Sequence, residues 1–256
     1  MTGPMKPGDA PEPMLAVQHL RVSYQGRPVL ADVNFTLRRH QISAFAGAAG
    51  AGKTTILKAL AGLLRPVAGK ILFEGEAIEG LPAWEVVKRG IVYVPEGMRI
   101  FPQMTVVENL EVGAYLKREG IPARLDLVFS IFPELQEKVR LPAGVLSGGQ
   151  QRMVTLARGL MAAPRLLLLD EPFMGLSPKL VKRFCDSFRD LRQTGITLLI
   201  AGQYVFRVLN VAEVAHLVEH GQITLSGSGP ELLRDRHLKE ILFPTGDRPP
   251  TGDKIG

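Results

Sequence analysis

The chain of 256 residues contains a single cysteine, Cys185, so no disulfide can form within it, and a reducing compartment is expected. Tryptophan occurs once, and no basic cluster interleaved with aromatics is present, which argues against nucleic acid as a partner. No apolar stretch approaches the ~18 residues that a membrane span requires. The longest apolar runs, Leu166–Leu169 and Ile196–Ala201, have the length of buried strands. Positions 1–13 are rich in proline and glycine and lack an apolar h-region, so a flexible tail is expected there rather than a secretory signal; a second such tail is expected at 244–256. There is no internal repeat, no low-complexity block and no long run of like charge. The formal charge is +6, but the cations are scattered in pairs such as Arg38-Arg39 and Lys117-Arg118. That pattern reads as a solvated surface, with acidic lipid headgroups as the alternative.

What is present reads as alternating strands and helices. Leu15, Val17, Leu20 and Val22 alternate with polar residues, as do those of Val33–Leu37, which predicts an antiparallel sheet at the N-terminus. Strands are expected at 41–46, 69–73, 91–94, 165–170 and 196–201, and helices at 53–63, 178–192 and 230–243. His220-Gly221 marks a hairpin between strands at 214–219 and 222–225. Between 96 and 159 helical spacing dominates, as in Val106, Val107 and Leu110. The expectation is an α/β fold with a mainly parallel, doubly wound sheet. One domain over 14–243 is expected, with a core at 14–95 and 160–243 and a helical lobe inserted at 96–159. Ligands of such sheets bind at the carboxyl ends of the strands.

Two such strand ends carry chemistry. Gly47, Ala48, Ala49, Gly50, Ala51, Gly52, Lys53 and Thr54, with Thr55 behind them, fit the phosphate-loop pattern G-x-x-x-x-G-K-[ST] at every fixed position. Its glycines let backbone N–H groups turn inward around phosphate oxygens. Lys53 adds a positive charge near the β- and γ-phosphates of ATP, and the Thr54 hydroxyl is placed to bind Mg²⁺. Leu166–Leu169 delivers Asp170 to a second strand end, where a carboxylate can hold Mg²⁺ through water. Glu171, next to it, is the candidate base that activates an attacking water. Leu146-Ser147-Gly148-Gly149-Gln150 precedes a helix, and Ser147 is its expected N-cap.

That last segment, lying between the loop and Asp170, resembles the signature sequence of ATP-binding-cassette ATPases, and the resemblance covers the chain from about Leu15 to Phe243. It implies a P-loop NTPase (RecA-like) core with an antiparallel β subdomain and an inserted helical subdomain. It also implies two cassettes paired head to tail, with Ser147, Gly148, Gly149 and Gln150 of one touching the nucleotide on the other's Lys53. Tyr24 matches the aromatic that stacks on adenine. Glu96 sits where most cassettes have a Gln that senses Mg²⁺ and γ-phosphate, and Gln203 where most have a His. These two departures, with Val94–Phe101 and Asp170–Pro178, resemble one of the two ATPases of branched-chain amino acid importers. Three further departures stand beside them: Ala49 where an Asn is usual, Ala201-Gly202 for a Val-Glu pair, and Pro178 for an Asp. The subfamily likeness implies membrane permease subunits, a second cassette (identical or a sister), a periplasmic or extracellular substrate-binding protein, and a place on the cytoplasmic face of the plasma membrane. Ile100, Phe101 and Met104 are the residues expected to face the permease, or else to form the core of the lobe. A urea or short-chain amide importer ATPase, a soluble non-transport cassette and a nucleotide kinase are the other readings.

Overall fold

The computed structural model describes residues 12–235 and Leu238. The chain opens with β1 (Leu15–Tyr24) and β2 (Arg27–Leu37), joined by Gln25 and Gly26. Both turn residues lie at positive φ (48° and 80°), the geometry a two-residue hairpin turn needs. Strand β2 starts earlier than its alternation predicts. Pro28 does no harm there, because β2 is an edge strand. Next come β3 (Ile42–Ala46), α1 (Lys53–Leu60), β4 (Ala68–Phe73), β5 (Glu76–Ala77), α2 (Ala83–Lys88) and β6 (Ile91–Val94). The helical segment holds α3 (Val106–Gly113), α4 (Ile121–Ile131), α5 (Pro133–Gln136) and α6 (Gly148–Leu160). Then follow β7 (Leu166–Asp170), α7 (Pro178–Gln193), β8 (Thr197–Gly202), α8 (Val205–Val211), β9 (Val214–Glu219), β10 (Gln222–Gly227) and α9 (Gly229–Leu232). Helices α2 and α8 are too short to leave a periodic signal and are absent from the sequence expectation. Half of the helix expected at 230–243 lies outside the described residues, as do both tails apart from residues 12 and 13.

Two sheets result. The first is antiparallel, in the order β2-β1-β4-β5. The second runs β10-β9-β3-β8-β7-β6 and is parallel except for the β9–β10 hairpin. Every residue of β3, β7 and β8 is buried, as expected of central strands covered on both faces. Alternate residues feed two cores. Phe45, Leu166, Leu168 and Leu199 meet α1 and the antiparallel sheet. Ala44, Leu167, Leu169, Leu198 and Ile200 meet the helical side. That second cluster continues through Phe184 and Phe188 of α7 into Val106, Leu110, Val128, Phe132 and Leu135. The helical lobe is therefore an extension of the main core and closes no core of its own.

His216 of β9 lies in the antiparallel-sheet side of the molecule, 7% exposed, its ring 5.8 Å from Phe35 and 5.7 Å from Phe45. Nδ1 is 2.7 Å from Ser226 Oγ, and among the described residues Nε2 has no hydrogen-bond partner. Burial pushes its pKa down from 6.5 to about 4. A depressed folded-state value means that the unfolded chain takes up the proton first as pH falls. The associated stability is complete above pH 6.5 and is lost between there and pH 4, amounting to about 3 kcal/mol. Urea unfolding at pH 7 and pH 4.5 should show wild type losing about 2–3 kcal/mol more than His216→Phe; equal losses would remove His216 from the account.

Candidate functional site: a phosphate loop with two carboxylates

The site is assembled by register. In the parallel sheet Ala46 pairs with Gly202, and Asp170 with Ala201, so β3, β8 and β7 end side by side. The phosphate loop leaves β3, Asp170-Glu171 leaves β7 and Gln203 leaves β8 at one rim. The loop's shape needs its glycines. A Cβ on Gly47 would sit 2.2 Å from the Val218 carbonyl oxygen, and Gly52, at φ 112°, faces Leu30 and Gly221. Gly221 N–H donates to Ala51 O at 2.9 Å, stitching the loop to the β9–β10 hairpin. Ala48, Ala49 and Gly50 are exposed at the mouth, while Thr55 is buried behind it.

Lys53 is 4% exposed and curls back into the loop. Its Nζ donates to Gly47 O and Ala48 O, both at 2.8 Å, and lies 3.8 Å from Glu171 Oε1. Burial pulls its pKa down, and the charges of Glu171, Asp170 and Glu96 hold it up. Asp170 accepts from Thr54 Oγ1 at 3.0 Å and from the Tyr93 hydroxyl at 2.8 Å. Burial pushes the Asp170 carboxyl up, against those two hydrogen bonds. It pushes the Tyr93 phenol up as well, so Tyr93 stays a donor. Glu171 is 8% exposed; burial raises its carboxyl, and the Gln203 N–H, which donates to Oε2 at 3.1 Å, opposes the rise. A carboxylate with a raised pKa is a better proton acceptor for water than an ordinary surface one.

The structure thus brings Lys53, Thr54, Asp170, Glu171 and Gln203 together, with Glu96 at the exposed end of β6 close enough for its charge to act on the first, third and fourth of them. Gln203 meets Glu171 through its backbone, and its side-chain Nε2 lies 3.7 Å from Met174 Sδ. Tyr24 stands at the hairpin end of β1, 41% exposed. Ser147 caps α6: its Oγ accepts from Gln150 N at 3.4 Å, and Gln150 Oε1 accepts from Ser147 N at 3.2 Å. Ser147 and Gly148 are exposed, whereas Gly149 is buried, its missing Cβ leaving room for Leu180. Among the described residues, no hydrogen bond of Tyr24 or of the Ser147 turn reaches the phosphate loop of its own chain. The same capping box starts α3 (Thr105, Glu108) and α9 (Ser228, Glu231), but only α6 closes it with a neutral Gln and has no acid in its first turn. Its positive helix end is left uncompensated.

Two residues of the site are missing from the sequence reading. Tyr93 is set beside Leu168, and so near Asp170, by a strand pairing that no local sequence signal marks. Arg152, on α6, reaches the Glu171 carbonyl and carries no local signature. Of the residues expected to face a partner, Phe101 is exposed, while Ile100 packs onto the core and Met104 is half-buried.

The sequence pattern of the ABC transporter family matches residues 30–174, more than half of the chain. The chain is 35% identical to the high-affinity branched-chain amino acid transport ATP-binding protein BraG of Pseudomonas aeruginosa, over 90% of this chain and 99% of that protein. It is 34% identical to a probable branched-chain amino acid transport ATP-binding protein, LivF, of Archaeoglobus fulgidus, covering 90% and 98%. It is 36% identical to the lipopolysaccharide export system ATP-binding protein LptB of Haemophilus influenzae, covering 90% and 97%. Among solved structures, the ADP conformation of an ATP-binding cassette of an ABC transporter superposes with a TM-score of 0.82 at 25% identity, over 92% of this chain and all of that one. A phosphate loop, an acidic strand end and a capped signature turn on this fold have one reading: the chain belongs to the ABC transporter family and is an ATP-binding, ATP-hydrolysing cassette.

Proposed function

We propose that this cassette energises the import of branched-chain amino acids through membrane permease subunits, by binding ATP and Mg²⁺ between itself and a second cassette. The observation that carries the pairing is the start of α6. Its N-terminus is exposed, carries no acid in its first turn and, among the described residues, makes no hydrogen bond to its own chain's phosphate loop. A γ-phosphate presented by a second cassette would satisfy it. In this arrangement Lys53 and the loop amides hold the phosphates, Tyr24 stacks on adenine, and Ser147, Gly148, Gly149 and Gln150 close over the γ-phosphate from the other subunit. Thr54 and Asp170 offer hard oxygen donors 3.0 Å apart. Such a pair suits Mg²⁺, which is usually held by one or two carboxylates together with substrate phosphates. Bound there, the ion would offset phosphate charge. Glu171 accepts the proton of the attacking water, and Glu96 and Gln203 sit at the edge of the same space.

A groove of about 440 Å³ lies between the lobe and the sheet, lined among others by Val87, Lys88, Gly113, Leu116 and Arg165. Near the lobe's other edge Phe101, 46% exposed, carries the Arg158 guanidinium 5.5 Å over its ring. Buried Asn109 fixes this corner, accepting from Phe101 N and donating to the carbonyls of Phe101, Met104 and Thr105. An apolar and cationic surface held this firmly suits a permease loop. No described helix is long and apolar enough to cross a membrane, so membrane attachment would come through such a partner at the cytoplasmic face. The importer reading also implies a substrate-binding protein on the far side.

The substrate rests on BraG and LivF, and the likeness to LptB favours lipopolysaccharide export as a second reading. Glu171→Gln should bind ATP, hydrolyse it poorly and accumulate as a dimer in ATP and Mg²⁺, read by light scattering. A variant that stays monomeric at saturating nucleotide would refute pairing between identical chains. Deleting the gene should abolish uptake of labelled leucine, isoleucine and valine while sparing urea uptake and surface lipopolysaccharide; the reverse pattern would reassign the substrate.

A further inference from the structure

Glu171 does its work from an unusual backbone. Its φ is 47°, in the left-handed region that non-glycine residues occupy only when their surroundings hold them there. Three contacts do the holding, one of them a turn bond within the segment, in which the Met174 N–H donates to the Glu171 carbonyl oxygen at 3.2 Å. On one side, the Glu171 N–H donates to Ala201 O of β8 at 2.8 Å. On the other, Arg152 Nη1 donates to the Glu171 carbonyl oxygen at 2.9 Å and reaches Pro172 O at 3.4 Å. A guanidinium bond to a carbonyl is charge-assisted, and here a single nitrogen, Nη1, serves two successive carbonyls. The catalytic carboxylate then extends from this fixed backbone to the Gln203 N–H and toward Lys53.

Arg152 belongs to α6, the helix that begins at Ser147. We propose that Arg152 is a positioning residue for ATP hydrolysis. It fixes the Glu171 backbone in the conformation from which the carboxylate meets the attacking water. The placement of α6 as the helix that also faces the partner's nucleotide rests on the paired arrangement proposed above. Because the bond lies past the first turn of α6, its loss leaves the Ser147 capping box intact. Removing Arg152 should therefore separate two properties that travel together in wild type: hydrolysis fails while ATP-dependent pairing survives.

The experiment uses the full chain and measures kcat and KM for ATP together with dimer formation in ATP and Mg²⁺. Arg152→Ala should lower kcat by about 10- to 100-fold, the order expected when a catalytic group is misplaced by about an ångström. KM should change little, and the ATP-bound dimer should persist as it does for Glu171→Gln. Arg152→Lys, whose ammonium can still donate to the carbonyl, should recover part of kcat. If Arg152→Ala does not fold, Arg152→Gln takes its place with the same expected loss. An unchanged kcat overturns the inference. So does a loss of kcat accompanied by loss of the dimer, which would make Arg152 a scaffold of the signature turn. If wild type and Glu171→Gln never pair in ATP, the paired reading has failed, and kcat of Arg152→Ala still decides the hold on Glu171.

Discussion

A lysine ammonium that is almost fully withdrawn from water needs compensation close by, and the rest of this site follows from how that need is met. Lys53 is held by two loop carbonyls and faces a carboxylate across 3.8 Å. The loop carbonyls come from the end of β3 and the carboxylate from the end of β7, with β8 between them. Their relative height is set by the parallel register that pairs Ala46 with Gly202 and Asp170 with Ala201. A slip of one residue in any of these strands would turn each side chain to the other face. Strand β7 is apolar up to Asp170 and β8 from Leu198 to Ala201, and every residue of both strands is buried in this register.

The charges at the rim are arranged so that none is left alone. Asp170 and Glu171 are neighbours, and two carboxylates in a dry site would repel. Their environments separate them. Asp170 receives hydrogen bonds from Thr54 and Tyr93, and Glu171 receives the Gln203 N–H and the field of Lys53. Asp170 is thereby engaged by two hydroxyls, and in the proposed function Glu171 remains available to take a proton.

The parts of this site that are legible in the sequence are those whose partners lie a few positions away. The glycine loop, the acidic strand end and the Ser147 cap each announce themselves within a short window. The parallel sheet and the β9–β10 hairpin are legible for the same reason, through apolar runs and a turn dipeptide. Tyr93 and Arg152 are not, because their partners lie 77 and 19 residues away and nothing in their own neighbourhoods marks them. Gln203 shows a different limit. Its position at the end of β8 is readable, but a backbone N–H makes its contact with Glu171, so side-chain type carries no trace of that bond. The corner at Ile100 and Phe101 shows a third limit: Ile100 packs onto the core while Phe101 is exposed, and hydrogen bonds spanning the loop to Asn109 set its shape. The helical lobe is legible as an insertion from its spacing, but the merging of its apolar face with the main core is not.

That merger limits how the lobe can respond to anything bound at the rim. Phe132 of the lobe lies 6.2 Å from Phe184 of α7, and Phe184 in turn meets Phe188 edge-on at 6.1 Å. A body joined to its neighbour by interlocked rings rather than by a flexible strap cannot swing open without exposing them to water. The displacement open to it is a short glide along the aromatic seam. Stiffness at that seam, more than flexibility at the connecting segments, would then govern how faithfully a small shift at the phosphates reaches the far surface.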